Sequence, residues 1–402
     1  MKAKLLEKIS PVEGLRLGVA ASGEHYEGRN DLLVIELVEG SRSVCLFTKN
    51  IFCAAPVTIA RRHLKVTSPQ YLIVNAGNAN AGTGIAGERD ALEICQAVAS
   101  RVGCAVEGVL PFSTGVIGQA FRTGTISRVV GDCFQDLSPC NWSEAGRAIM
   151  TTDTRLKARS ATVELNGVRT TVTGIAKGSG MIKPDMATML AFVATDASVS
   201  VDLLQSICEE VADLSFNRIT VDGDTSTNDS FALMATGATG AEDIVNSSEE
   251  YVRLKSAILL VCSELAKDIV RDGEGATKLV NITVFGFNKE ECTRVAYAVA
   301  ESPLVKTALF ASDANWGRIL AAVGRSAFPT TVLENICIEV SGVPLLKNGE
   351  PVVLENMDNI KRAFSDHEID LCIRLDDGAA STTVWTCDFS YDYVRINAEY
   401  RT

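Results

Sequence analysis

Lys177-Gly178-Ser179-Gly180 opens a run, Met181-Ile182-Lys183-Pro184-Asp185-Met186-Ala187-Thr188, that ends against an apolar stretch at 189–194. A glycine-rich, lysine-bearing loop therefore leads to a threonine at the head of a predicted strand. A threonine hydroxyl in mid-chain is a poor nucleophile. Cutting the Ala187–Thr188 bond changes that, because the new α-amine can act as general base for its own hydroxyl. An α-amine has a reference pKa of about 7.7–8.0, close to working pH, so it can take that proton. The same hydroxyl could make the cut by attacking the Ala187 carbonyl, giving an ester that water hydrolyses. A small residue at 187 and Pro184 three residues earlier suit a tight turn. Such chemistry belongs to a self-processing acyl transferase or hydrolase. A β-branched residue opening a strand is otherwise ordinary, so the flanking pattern carries the reading.

The elements that must position this loop alternate between strand and helix. Residues 32–38 and 44–48 read as strands, 56–64 as a short helix and 71–75 as a buried strand. Helical spacing runs over 88–102 and a further helix over 143–151. A strand over 109–112 leads into Ser113-Thr114-Gly115, which reads as a turn. Strands at 161–165 and 168–172 flank Asn166-Gly167, a strong hairpin signal that delivers the chain to Lys177. Beyond Thr188, Ser200 can cap a helix to about 214, and Ser247-Ser248-Glu249-Glu250 fits the start of a long helix to about 271. Further on, 279–287 is a strand, 289–301 and 316–322 are helices, and strands follow at 336–340, 369–375 and 382–394. The mixture predicts a layered α/β protein.

Composition removes several function classes. The 402 residues carry a net charge of −12, which argues against nucleic acid or an anionic membrane as partner. Lys177 and Lys183 could still make one pocket locally basic. Twelve cysteines are scattered without a Cys-x-x-Cys pair, and the three histidines form no zinc spacing. Reduced, buried thiols in a cytoplasmic protein are expected, with no metal and no organic cofactor. No apolar run approaches a membrane span, and residues 1–19 have no apolar signal core. Gly82-Thr83-Gly84-Ile85-Ala86-Gly87 matches a dinucleotide fingerprint but stands six residues beyond its strand, so it reads as a loop entering a helix. Asp222, Asp224, Asn228 and Asp229 have the wrong spacing for a calcium loop and read as polar turn chemistry.

Ten segments form an ordered series: Phe47-Thr48-Lys49-Asn50, Cys53-Ala54-Ala55-Pro56-Val57, Asn75-Ala76-Gly77-Asn78-Ala79-Asn80-Ala81, Ser113-Thr114-Gly115-Val116-Ile117-Gly118, Thr151-Thr152-Asp153-Thr154, the run from Lys177 to Leu190, Thr220-Val221-Asp222-Gly223-Asp224-Thr225-Ser226-Thr227-Asn228-Asp229, Gly273-Glu274-Gly275-Ala276-Thr277-Lys278, Ser312-Asp313-Ala314-Asn315-Trp316-Gly317-Arg318 and Ile396-Asn397-Ala398-Glu399-Tyr400-Arg401-Thr402. Together they closely resemble the motifs of the glutamate N-acetyltransferase (ornithine acetyltransferase) family over nearly the whole chain.

The resemblance implies an αββα sandwich of the self-cleaving ornithine acetyltransferase type, with a smaller C-terminal α/β region. It implies cleavage between Ala187 and Thr188 into residues 1–187 and 188–402, with a smaller α/β subdomain at about 280–395. Thr188 would be the nucleophile, and Thr114 and Gly115 would stabilise the oxyanion. Thr154, Lys177, Thr188, Glu274, Asn397 and Thr402 would bind substrate. The implied partners are N-acetylornithine, glutamate and, in some members, acetyl-CoA. The two fragments would stay together and assemble as a heterotetramer of two alpha and two beta chains. A self-cleaving amidase or aminopeptidase, with water as acyl acceptor, shares the same nucleophile logic. One departure stands out: the family usually has a Gly-Ile-Lys element near residue 22, and here the stretch is Ala20-Ala21-Ser22-Gly23-Glu24-His25-Tyr26.

Intact mass of the purified protein under denaturing conditions is expected to give two fragments, the second beginning at Thr188. A single uncut chain would contradict the self-processing expectation.

Overall fold

The computed structural model describes residues 3–183, 189–326, 334–352 and 357–399. Two sheets whose central strands are apolar along nearly their whole length stack face to face. One has four strands in the order Leu15–Ala20, Leu32–Leu37, Tyr71–Asn78, Val109–Val116. The other has six: Lys4–Leu5, Lys157–Leu165, Val168–Lys177, Leu190–Thr195, Ser230–Ala235, Arg42–Phe47. Successive side chains point to opposite faces, and both faces of both sheets are covered. Leu33, Ile35, Leu72 and Val74 meet Phe192, Ala194, Ala232 and Met234 between the sheets. Phe112 and Phe192 cross that interface edge-on, ring centroids 5.1 Å apart. The alternate residues Leu32, Val34, Ile73 and Val109 pack outward on helices Gly84–Val102 and Thr123–Gln135. On the far side, Ala191, Val193, Phe231 and Leu233 pack on helices Val201–Leu214 and Glu249–Arg271. The layers are therefore helix, sheet, sheet, helix, as expected.

A third sheet with its own core lies C-terminal to these layers. Seven strands, in the order Ile219–Thr220, Ala380–Cys387, Leu279–Gly286, Glu368–Arg374, Cys337–Val340, Val343–Lys347, Glu350–Pro351, carry helices that include Lys289–Ala300 and Trp316–Gly324. Among the described residues, no helix is long and apolar enough to cross a membrane.

Local signals act as their chemistry requires. Ser200 and Ser248 accept the backbone N–H of Leu203 and Tyr251 and start their helices. Asn166 and Gly167 take φ of +50° and +76°, the left-handed pair of a tight hairpin. Two expectations need correction. The strand read over 382–394 stops at Cys387, and helix Tyr391–Glu399 follows. Asp388 turns its carboxylate onto the N–H groups of Thr277 and Lys278, which ends the strand. Ser390 then accepts the N–H of Asp392 and starts the helix. Ser113-Thr114-Gly115 is not a turn either. The strand runs on to Val116, paired in parallel with Tyr71–Asn78 through a bulge at Gly77/Asn78.

Between the layers lies a buried cluster of charge. Lys157, 1% exposed, puts Nζ 2.6 Å from Asp153 Oδ1 and 2.6 Å from Asp272 Oδ2. Asp272 comes from the end of helix Glu249–Arg271 and also accepts the N–H groups of Thr154 and Arg155. Asp153 accepts the Gly178 N–H at 2.7 Å, so the cluster grips the start of the Lys177 loop. Burial alone would raise the Asp153 carboxyl, but Lys157 and Lys177 outweigh it and hold the group below its ordinary value.

A carboxyl held low in the fold favours folding at every pH above its unfolded value of about 3.9, and the benefit fades as pH falls further. Asp153→Asn strands part of the Lys157 charge, so a loss of about 3–5 kcal/mol is expected near neutral pH, shrinking below pH ~3.9. Denaturant unfolding of both proteins at the two pH values measures this. An unchanged midpoint at neutral pH would contradict it.

Candidate active site

The C-terminal end of strand Val109–Val116 carries Thr114 and Gly115. Gly115 has φ +131°, and a Cβ there would stand 2.2 Å from the Gly77 carbonyl carbon, so only glycine fits. Asn228 fixes this strand end by donating Nδ2 to Ala79 O at 2.6 Å and to Ser113 O at 2.8 Å. The departing stretch at 20–26 lies over the same bulge. Asp31 accepts the Ser22 N–H, Glu24 faces Asn78, and the His25 side chain packs where a Gly77 Cβ would be, 2.5 Å away.

Lys177 ends strand Val168–Lys177 and donates Nζ to Thr114 Oγ1 at 3.1 Å. That contact uses an acceptor lone pair of the Thr114 oxygen, which leaves the hydroxyl proton to be donated elsewhere. Burial lowers the Lys177 pKa, against the pull of Asp153, Asp229 and Glu274.

The loop beyond Lys177 is held by backbone capture. Glu274 N–H donates to Ser179 O at 3.0 Å, and Ser179 Oγ donates to Asp272 O at 2.7 Å. A Cβ on Gly180 would come 2.5 Å from the Glu274 carboxyl carbon, so the glycine lets the carboxylate lie against the loop. Asp222 accepts the N–H groups of Met181 and Ile182 at 2.6 and 2.9 Å. Met181 takes φ +56°, a left-handed kink that these bonds hold in place.

Glu274 is buried and accepts Asn397 Nδ2 at 2.8 Å. Asn397 lies on helix Tyr391–Glu399, whose seat depends on Gly275: a Cβ there would stand 2.5 Å from Tyr393 N. Burial, with Asp222 and Glu274 nearby, pushes the Tyr393 hydroxyl above its ordinary pKa. Thr114, Gly115, Lys177, Glu274 and Asn397 thus line one cavity of about 230 Å³, together with Asp222, Asn228, Asp229 and Tyr393. Thr154 is not in its lining. It is exposed and donates its hydroxyl to Asp272, while Thr151 and Thr152 face the cavity.

Ala187, Thr188 and Thr402 lie outside the described residues. Both flanks of 184–188 reach the cavity: Met181 and Ile182 before it, Met189 and Leu190 after it. Lys183 O accepts the Thr225 hydroxyl at 3.0 Å and Met189 O accepts the Ser230 N–H at 2.8 Å. Sequence reasoning left Asp153 and Tyr393 without a role and read Asp222 and Asp229 as turn residues. Asp222 and Asp229 bracket a Thr-Ser-Thr-Asn loop, and acidic residues on both sides of a hydroxyl-rich loop were the available signal. Chemically, the cavity offers a hydroxyl donor, one cation and a buried carboxylate pair of unlike environment, at the wall that both flanks of 184–188 reach.

Residues 16–402 match the family model described as the ArgJ family. A protein of Psychrobacter arcticus named arginine biosynthesis bifunctional protein ArgJ is 49% identical over 98% of this chain and 98% of its own. Among solved structures, the Bacillus halodurans arginine biosynthesis bifunctional protein ArgJ is 39% identical, covering 51% of this chain and 96% of its own, with a TM-score of 0.49. The ornithine acetyltransferase of Mycobacterium tuberculosis, solved with ornithine, is 30% identical over 46% of this chain and 100% of its own, with a TM-score of 0.43. A family match of this extent, joined to near half identity over the whole length, means that the chain belongs to the ArgJ family of arginine-biosynthesis acyltransferases.

Proposed function

We propose that the protein cuts itself between Ala187 and Thr188 and then transfers acetyl from N-acetylornithine to glutamate. The observation that carries this reading is the convergence of Thr114, Gly115, Lys177, Glu274 and Asn397 on one cavity that both flanks of 184–188 enter. The cycle is ping-pong. The Thr188 amine takes the proton of its own hydroxyl, which attacks the acetyl carbon of the donor. The Thr114 hydroxyl and the Gly115 N–H hold the oxyanion. Lys177 keeps the Thr114 oxygen oriented for that task. Ornithine leaves with the proton, and an acetyl-threonine ester remains. The glutamate α-amine then attacks the ester and yields N-acetylglutamate.

Lys177 suits the α-carboxylate that both substrates share, and Glu274 suits an ammonium. Asn397 fixes Glu274, and Thr402 is assigned to substrate binding as well. Thr154 contributes by steadying Asp272. Acetyl-CoA serves as a second donor for N-acetylglutamate synthesis. The two fragments remain paired in an assembly of two alpha and two beta chains.

Thr114→Val removes one oxyanion donor without changing volume much. A fall in kcat of about 10²–10³ is expected, with the melting temperature held. Thr188→Ala is expected to remain uncut and inactive. The assay follows N-acetylglutamate formed from N-acetylornithine. Wild-type turnover by either variant would overturn its assignment, and acetate as the sole product would favour an amidase.

A further inference from the structure

Maturation poses a problem that turnover does not. Before the cut, the nitrogen of residue 188 is an amide and cannot serve as a base. Another group must take the hydroxyl proton and return it to the departing nitrogen. We propose that Asp229 is that general base and acid, a reading that rests on Thr188 as the nucleophile.

Asp229 is 2% exposed and lines the same cavity as Thr114 and Lys177. Its Oδ2 has no hydrogen-bond partner among the described residues, an uncommon state for a buried carboxyl. The other carboxylates at the cavity are engaged or open to water. Asp222 accepts three backbone N–H groups through its two oxygens, Glu274 accepts from Asn397, and Asp224 is exposed.

Register supplies the proximity. Strands Leu190–Thr195 and Ser230–Ala235 run parallel with Ser230 opposite Leu190, and the Ser230 N–H reaches Met189 O. Asp229 therefore stands beside Met189, across a strand spacing of about 4.8 Å. Asp229 and Met189 line the same cavity, so the carboxyl stands at the wall from which the chain leaves 184–188. Burial also raises the Asp229 carboxyl well above its ordinary value, against hydrogen bonds from Ser226 and the charge of Lys177. A carboxyl whose proton affinity is raised takes a hydroxyl proton more readily than an ordinary one.

The step balances. Asp229 takes the hydroxyl proton as Oγ bonds to the Ala187 carbonyl carbon. The C–N bond breaks and the same proton goes to nitrogen, leaving an ester and a free α-amine. Water then hydrolyses the ester, freeing the Ala187 carboxylate and restoring the hydroxyl.

The test follows cutting of the full-length chain by intact mass. Asp229→Asn, which keeps the volume, is expected to cut about 10²–10⁴-fold more slowly with an unchanged melting temperature. Asp229→Ala is expected to recover cutting when formate is added, because the small carboxylate can enter the cavity. Wild-type cutting by Asp229→Asn, or a folded Asp229→Ala that formate does not rescue, overturns the proposal. Thr188→Ala separates the two readings. If it is cut, the nucleophile reading fails; if it stays uncut while Asp229→Asn cuts normally, the base assignment alone fails.

Discussion

The contact of Lys157 with Asp153 and Asp272 is the constraint on which the site rests. Three buried charges are costly unless each is paired and hydrogen-bonded. Here the surplus acceptors are satisfied by backbone N–H groups: Gly178 on Asp153, Thr154 and Arg155 on Asp272. Satisfying the charges therefore fixes three pieces of chain at once. These are the segment after helix Trp142–Ala148, the end of helix Glu249–Arg271 and the loop that begins at Lys177. A hydrophobic replacement could fill the volume but could not capture the loop. Lys177 sits between this cluster and Thr114, and it inherits its position from both.

The second constraint is close approach. Gly115 against Gly77 and Gly275 against Tyr393 are places where no side chain fits, and Gly180 leaves the room in which Glu274 lies against the loop. Each brings a different layer to the cavity wall: the four-stranded sheet, the loop beyond Lys177 and the C-terminal helix. The stacked sheets supply the rigidity, since Phe112 and Phe192 lock them edge to face just below the site. Cavity residues are thus carried by strand ends and backbone-captured loops, which hold geometry better than free loops do.

Much of this was legible in the residues, for physical reasons that differ from place to place. Caps at Ser200 and Ser248 and the Asn166-Gly167 turn are local chemistry, and local chemistry reads well from sequence. The alternation of strands and helices predicted a layered α/β protein, and the two-sheet sandwich came from the family resemblance. The C-terminal helix was misread because Tyr393 and Val394 favour strand, while the break that separates them from the sheet comes from Asp388, whose partners lie over a hundred residues away. Asp153 carried no local signal of its role, and Asp222 and Asp229 carried only their place on either side of a hydroxyl-rich loop. Their meaning depends on burial and on which backbone N–H groups reach them, and both are tertiary. Asp222 and Asp229 read alike as turn residues, yet one accepts three backbone N–H groups and the other keeps an oxygen without a partner among the described residues. Thr151, Thr152 and Thr154 are chemically similar, and only the fold separates the two at the cavity from the one that steadies Asp272.

The central claim is that the acyl group rests on Thr188 between two half-reactions. Mixing the matured protein with N-acetylornithine alone and taking the intact mass of the C-terminal fragment tests it most directly. One added acetyl group on Thr188 is expected, with release of ornithine, discharged as N-acetylglutamate when glutamate follows. A fragment that never gains acetyl while the full reaction turns over would contradict it, and would place both substrates in the cavity together.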